Sequence, residues 1–240
     1  MSDPRPGAPA ARRPLALVTG ASRGIGAAVA RALSETHDTL LGGRDMPALL
    51  RLTEELPGAH PWPVELTDPV ALAAATTGID ELHVLVHSAG VVRLGPLAEL
   101  TVEEWRRTLD VNVVAVAELT RLLLPALRAA GGHVVLINSG QGRVPSPGWG
   151  SYASSKFALR AYADVLRAEH PELRVTSIFP GRTATEMQQG VRSHEGGEYD
   201  PSQYLTPETV ARAVVAAVTT PRDGHLTDLV LRPVPRPARR

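Results

Sequence analysis

Between residues 14 and 231, short apolar runs alternate with longer segments of helical period, without a break. No other feature of the chain limits its fold as much. A strand that returns through a helix to a neighbouring position runs parallel to the strand before it. Repeated strand–helix units therefore build a parallel sheet covered on both faces. Residues 15–19, 39–41, 62–66, 82–87, 133–138, 174–179 and 226–231 read as strands. Residues 25–35, 47–56, 69–76, 102–130, 152–169 and 207–219 read as helices, with Thr101 and Thr206 as caps and Gly131-Gly132 and Pro171 as stops. Pro61 and Pro63 place the third strand at an edge, because proline cannot donate to a ladder. The expected fold is α/β, a single doubly wound domain over residues 14–231 with a seven-stranded, mostly parallel sheet flanked by helices.

Charge narrows the partners. Lys+Arg and Asp+Glu both total 25, so no net field recruits nucleic acid or an anionic membrane. Residues 1–13 and 232–240 collect arginine and proline and read as a disordered N-terminal tail and a solvated basic C-terminal tail. No run approaches the roughly 18 apolar residues of a membrane span. Arg12-Arg13 ahead of Leu15-Ala16-Leu17-Val18 has the form of a twin-arginine export signal. The apolar run is too short for one and is needed for the first strand, so a cytoplasmic protein is expected. The chain has no cysteine, and its eight histidines show no metal-ligand spacing, so no metal site is expected. His87 and His133, at strand ends, read as hydrogen-bonded structural groups. There is no G-x-S-x-G elbow, which removes the α/β-hydrolase reading.

Thr19-Gly20-Ala21-Ser22-Arg23-Gly24-Ile25-Gly26 lies where the first strand becomes the first helix. A backbone approaching a pyrophosphate needs residues without side chains, and the free N–H groups of a helix start attract the negative charge. The spacing is G-x-x-x-G-x-G. It resembles the glycine motif of the short-chain dehydrogenase/reductase family, which binds NAD or NADP on one Rossmann-type domain and builds catalysis into that domain. The resemblance covers about residues 14–231 and implies contact of the cofactor with Gly20, Ser22, Arg23, Gly24, Ile25 and Gly26.

An acidic residue after the second strand would bond the ribose hydroxyl of NAD, whereas an arginine there suits the 2′-phosphate of NADP. Arg44 stands at that point, and Arg23 offers a second guanidinium. The pair favours NADP(H) over NAD(H), although Asp45 would serve a ribose if the loop is shifted by one residue. The family's aspartate near the adenine reads here as Glu65, followed by Leu66. Its Asn-Asn-Ala-Gly after the fourth strand reads His87-Ser88-Ala89-Gly90. The retained Ala89-Gly90 half still lets the backbone pass close to a cofactor.

Tyr152-Ala153-Ser154-Ser155-Lys156 carries the chemistry. Residues four apart share a helix face, so the phenol and the ammonium become neighbours, and a nearby cation stabilises phenolate. Of the 25 Lys+Arg residues, Lys156 is the only lysine. A chain that uses arginine everywhere else has kept the one compact ammonium four residues after a tyrosine. Ser139 closes the fifth strand at the carboxyl edge of the sheet, where doubly wound folds bind ligands. By resemblance, Ser139 holds the substrate oxygen, Tyr152 is the acid/base, Lys156 tunes it and holds the ribose, and Asn112 completes a proton relay through water. Pro180-Gly181, with Thr183 and Thr185, resembles the family segment that embraces the nicotinamide, and residues 186–205 resemble its mobile substrate loop.

The expected activity is NADP(H)-dependent reduction of a ketone or aldehyde to an alcohol, or the reverse oxidation, by hydride transfer. The small-molecule carbonyl or alcohol is the expected partner, with association into a homodimer or homotetramer through the two long helices. A non-catalytic NAD(P)-binding scaffold or sensor is the alternative. A sugar epimerase or dehydratase would need a larger C-terminal substrate region than the few residues after the last strand.

Overall fold

A computed structural model describes residues 13–234. Among them, seven strands form one sheet: β1 (Leu15–Thr19), β2 (Asp38–Gly43), β3 (Ala59–Pro63), β4 (Val84–His87), β5 (His133–Ile137), β6 (Arg174–Pro180) and β7 (Asp228–Leu231). Their order is β3-β2-β1-β4-β5-β6-β7, and every neighbouring pair is parallel. The strand order reverses between β1 and β4, so the crevice above their carboxyl ends is the switch point at which such sheets take ligands. The helices are α1 (Gly24–Ser34), α2 (Met46–Glu55), α3 (Pro69–Thr76), α4 (Val102–Leu109), α5 (Ala115–Ala130), α6 (Gly150–Glu169), α7 (Glu186–His194) and α8 (Pro207–Thr219).

The central strands are apolar on both faces because each face has its own helical layer. Ala16 and Val18 of β1, with Val135 and Ile137 of β5, pack on one side with Val29 and Leu33 of α1 and Val210 and Val214 of α8. Leu17, Val134 and Leu136 face the other way, against Leu119, Leu123 and Leu127 of α5 and Leu159 and Leu166 of α6. The side-chain period of two sends alternate residues to opposite cores. Truncating any of these buried leucines to alanine costs about 2–5 kcal/mol.

Several boundaries differ from the sequence reading. The third strand is at an edge as the prolines require, but it spans Ala59–Pro63 and ends before residues 65 and 66. Val64 N still donates to Gly43 O at 3.2 Å, after which the chain turns so that the Asp68 carboxylate can cap α3 through Val70 N and Ala71 N. The helix expected over 102–130 is interrupted by a π-helical turn, Asp110–Val114, which has no signature in composition or period. The expected loop at 186–205 begins with α7, whose buried stripe is only Gln188 and Val191, too narrow to read as helical periodicity. Most of the expected terminal tails lie outside the described residues. Arg13, placed by sequence in the first of them, donates to Ser34 O and faces Asp38 at 3.6 Å. Among the described residues, no helix is long and apolar enough to cross a membrane.

Candidate active site

The glycine turn is built by contact rather than by the glycines alone. Gly20 takes φ +67°, and a β-carbon there would stand 2.9 Å from the Ala89 backbone. At Gly26 it would stand 2.1 Å from Gly20 O, so a side chain at either position breaks the turn. Thr19 Oγ1 accepts from Ser88 N at 3.1 Å and Ala89 N at 3.2 Å, and donates to Val86 O at 3.3 Å. One hydroxyl thus ties the ends of β1 and β4 together on the floor of the crevice. Sequence reasoning passed over Thr19, although a polar residue ending an apolar strand beside a glycine turn is the signal that would have found it.

The start of α1 is open. Asp45, Asp68, Thr101, Thr185 and Thr206 cap α2, α3, α4, α7 and α8 with their side chains. Arg23, at the corresponding position of α1, gives no side-chain cap, and the first turn holds no acidic residue. Unsatisfied N–H groups and a bare glycine approach fit a pyrophosphate. Ser22, Gly24 and Ile25 are half-buried around this opening.

The arginines are exposed and engaged. Arg23 Nη1 lies 2.6 Å from Glu186 Oε2, spanning from the turn to the first residue of α7. Arg44 Nη1 lies 3.1 Å from Glu65 Oε2, so two residues assigned separately to the adenosine end meet each other. The Glu65 carboxyl is held below its ordinary range, because bonds from Thr67 and Arg44 outweigh the opposing effect of burial. Asp45 accepts from Ala48 N at 3.0 Å and serves as a helix cap. Leu66 packs its side chain into the core layer of α5 and α6.

Tyr152 and Lys156 are one turn apart on α6, and both are buried. Burial pushes the Tyr152 phenol up, against a hydrogen bond from Ser139 that pulls it down. The sequence reading expects the neighbouring ammonium to lower it. The ammonium is directed elsewhere: Lys156 Nζ donates to Ile137 O at 2.9 Å and lies 5.7 Å from the centroid of the phenol ring. Burial drives the lysine down to about 8. Ser139 joins from the end of β5, its Oγ accepting from Gln141 N at 3.1 Å. Asn138, which the sequence did not single out, fixes this geometry. Its amide donates to Lys156 O at 3.1 Å and accepts from Ser139 N at 2.8 Å.

Asn112 sits in the π-turn, 1% exposed. Its Oδ1 accepts from Val91 N at 2.9 Å, and its Nδ2 donates to Val91 O at 2.9 Å and Ser155 Oγ at 3.0 Å. Ser155 Oγ in turn donates to Tyr152 O at 2.7 Å. Gly90 lies against this cluster, where a β-carbon would come within 3.3 Å of Asn112 Oδ1 and 3.9 Å of Lys156 Nζ. His87 is buried, paired with Thr120 Oγ1 at 2.9 Å, and pushed down to about 3 by burial, so it is neutral at any working pH.

A cavity of about 320 Å³ opens in front of Tyr152. Ser139, Tyr152, Ile25, Pro180, Gly181, Thr183 and Thr185 all line it. The sequence-predicted residues thus divide in two. These seven share one space, with Lys156 and Asn112 behind Tyr152. Gly20, Ser22, Arg23, Gly24, Gly26, Arg44, Glu65, Leu66, Ser88, Ala89 and Gly90 lie outside the cavity lining, on or just beyond the carboxyl ends of β1 to β4. Thr185 Oγ1 accepts from Gln188 N at 3.2 Å as the cap of α7, and its methyl packs 3.3 Å from where a Gly24 β-carbon would be. Trp149 and Met187 also line the cavity, whereas Tyr199 and Tyr204 pair with each other at 5.6 Å. Arg232, expected in a solvated tail, stands at the cavity's mouth.

Doubly wound sheets of this order, with a glycine turn after the first strand, form the class of dinucleotide-binding α/β proteins. A family model described as short chain dehydrogenase matches residues 14–196, and the chain belongs to the short-chain dehydrogenase/reductase family of oxidoreductases. It is 35% identical over 241 residues to the glycine betaine reductase ATRR of Emericella nidulans, across 93% of this chain but only 19% of that protein's length. It is 32% identical to the mouse dehydrogenase/reductase SDR family member 7B, across 91% of this chain and 75% of that one. Among solved structures, an alcohol dehydrogenase from the archaeon Thermococcus sibiricus, complexed with 5-hydroxy-NADP, superposes with a TM-score of 0.85 at 28% identity. That match covers 94% of this chain and 99% of the other.

Proposed function

We propose that the protein catalyses NADP(H)-dependent reduction of a ketone or aldehyde to an alcohol, or the reverse oxidation. The observation that carries this reading is the meeting of Ser139 and Tyr152 at one cavity on the carboxyl edge of the sheet, with the chain's only lysine buried behind the phenol. When bound, the nicotinamide supplies the two-electron chemistry. The uncapped start of α1 and the glycine approach would hold its pyrophosphate, and residues 180–185 its nicotinamide end. Two exposed guanidiniums and the use of Asp45 as a helix cap favour a 2′-phosphate over a free ribose hydroxyl. The solved relative with 5-hydroxy-NADP agrees in cofactor type.

In this reading the Ser139 hydroxyl donates to the carbonyl oxygen as negative charge grows there. The Tyr152 phenol, raised by burial and therefore protonated at neutral pH, delivers its proton to that oxygen. Lys156 places a positive charge behind the phenol as phenolate forms, and holds it there through Ile137 O. Asn112 contributes position: its amide is fully committed to Val91 and Ser155, which fixes the first turn of α6. Steady-state oxidation of NADPH across a broad aldehyde and ketone panel tests the proposal. Tight NADPH binding with no turnover by the wild-type protein would favour the scaffold alternative instead.

A further inference from the structure

The cavity beside Ser139 carries charge that the proton chemistry does not use. Its wall contains Arg182 and Arg232 and, among the described residues that line it, no carboxylate. Arg182 is answered by Glu195, which accepts from both of its terminal nitrogens at 2.8 and 2.6 Å. Arg232 has no hydrogen-bond or ion-pair partner among the described residues. Its guanidinium lies over Gly140, the residue after Ser139, with Nη1 2.8 Å from where a β-carbon of residue 140 would stand. The wall also holds Gln188 of α7, 7% exposed, whose Nε2 is buried without a partner. A buried amide donor left unpaired is unfavourable, and a ligand's acceptor would satisfy it.

The cofactor's phosphates do not account for this charge. Of the glycine-turn residues 20–26, only Ile25 touches the cavity, whereas Arg232 sits on the side of Ser139. We propose that the substrate is a small carbonyl compound bearing a carboxylate, recognised by Arg232 with the Gln188 amide as a second donor. This rests on the reductase reading above. A guanidinium fork fits a carboxylate through two parallel bonds, and one fork with one amide suits a monoanion. The cavity of about 320 Å³ must also admit the nicotinamide end along residues 180–185, which keeps the acid short. Arg232 and Gln188 are then specificity residues, and the reacting atoms remain the business of Ser139 and Tyr152.

The test uses four oxo acids of increasing spacing, 2-oxobutanoate, 3-oxobutanoate, 4-oxopentanoate and 5-oxohexanoate, with their methyl esters, at saturating NADPH. At one or more spacings the acid should exceed its ester by about 10-fold or more in kcat/KM, chiefly through KM. Arg232→Gln should abolish that preference while ester turnover and NADPH affinity stay as in wild type. Gln188→Leu should reduce it in part. Esters matching acids at every spacing, or an acid preference that survives Arg232→Gln, would overturn the proposal. So would a parallel loss of NADPH affinity, which would assign Arg232 to the cofactor. If no acid, ester or simple ketone is reduced, the reductase reading fails on its own account. Calorimetric titration of the four acids into wild type and Arg232→Gln then judges Arg232 separately, and equal or absent binding at every spacing rejects it.

Discussion

The Lys156 ammonium donates to the Ile137 carbonyl at 2.9 Å inside the protein, and burial draws its pKa from 10.5 down to about 8. A lysine so lowered binds fewer protons folded than unfolded between about pH 8 and 10.5. Below that window both states carry the proton and the cost of burying the charge is present in full; through the window it is relieved, so stability rises with pH. Lys156→Met removes the group. The wild type should therefore gain on the order of 3 kcal/mol relative to Lys156→Met between pH 7 and pH 10.5, read by urea denaturation at each pH. Parallel stability curves for the two proteins would refute the linkage.

The same titration reaches activity. As Lys156 loses its proton near pH 8, the positive charge behind Tyr152 disappears, and carbonyl reduction should decline on the alkaline side of that point. A kcat that stays flat to pH 10 would show that the ammonium is not required.

Tyr152→Phe removes the phenolic oxygen and keeps the ring that packs 5.7 Å from Trp149. Turnover should fall by roughly 10²–10⁴-fold, with NADPH affinity and melting temperature close to wild type. Retained turnover would locate the proton donor elsewhere.

Asn138 joins the backbones of Lys156 and Ser139 through one amide. Asn138→Ala strands the part-buried Ser139 N–H, a loss of about 1–3 kcal/mol, and removes the tie to Lys156 O, which keeps its bond within α6. Thermal denaturation should show a lower midpoint, and kcat should drop more than KM rises, since what is lost is the placement of Ser139 against Tyr152. A variant indistinguishable from wild type in both measurements would remove Asn138 from the site's framework.

In the proposed NADP(H) site, the Arg44–Glu65 ion pair would make the adenosine end adjustable. A 2′-phosphate must compete with Glu65 for Arg44, so Glu65→Gln should tighten NADPH binding, and Arg44→Ala should weaken it by about 10-fold while sparing NADH. Fluorescence titration with both cofactors checks the pair. A change of equal size for NADH would mean that the guanidinium does not read the phosphate.

The sheet and its two coverings were legible because they follow from period alone. Leu17 and Val18 point to opposite faces whatever surrounds them, and an apolar strand that buries both sides commits the chain to two helical layers. The proximity of Tyr152 to Lys156 and the place of the glycine turn could also be read from spacing within one strand–helix unit, whereas the roles of these residues and of Ser139 rested on the family resemblance. Local sequence fixes such neighbours through φ, ψ and the helical repeat.

What only the tertiary structure decided depends on residues brought together from distant points of the chain. Asn112 enters a π-turn and meets Val91 and Ser155, Arg44 meets Glu65, Asn138 reaches Lys156, and Arg232 of the expected tail comes to rest over Gly140. Helical spacing says which face of α6 holds the phenol and the ammonium. It is silent on where the ammonium points, because Ile137 O belongs to another strand. Hydrogen bonds and charges act through space, and the chain carries no local record of which groups folding will make adjacent.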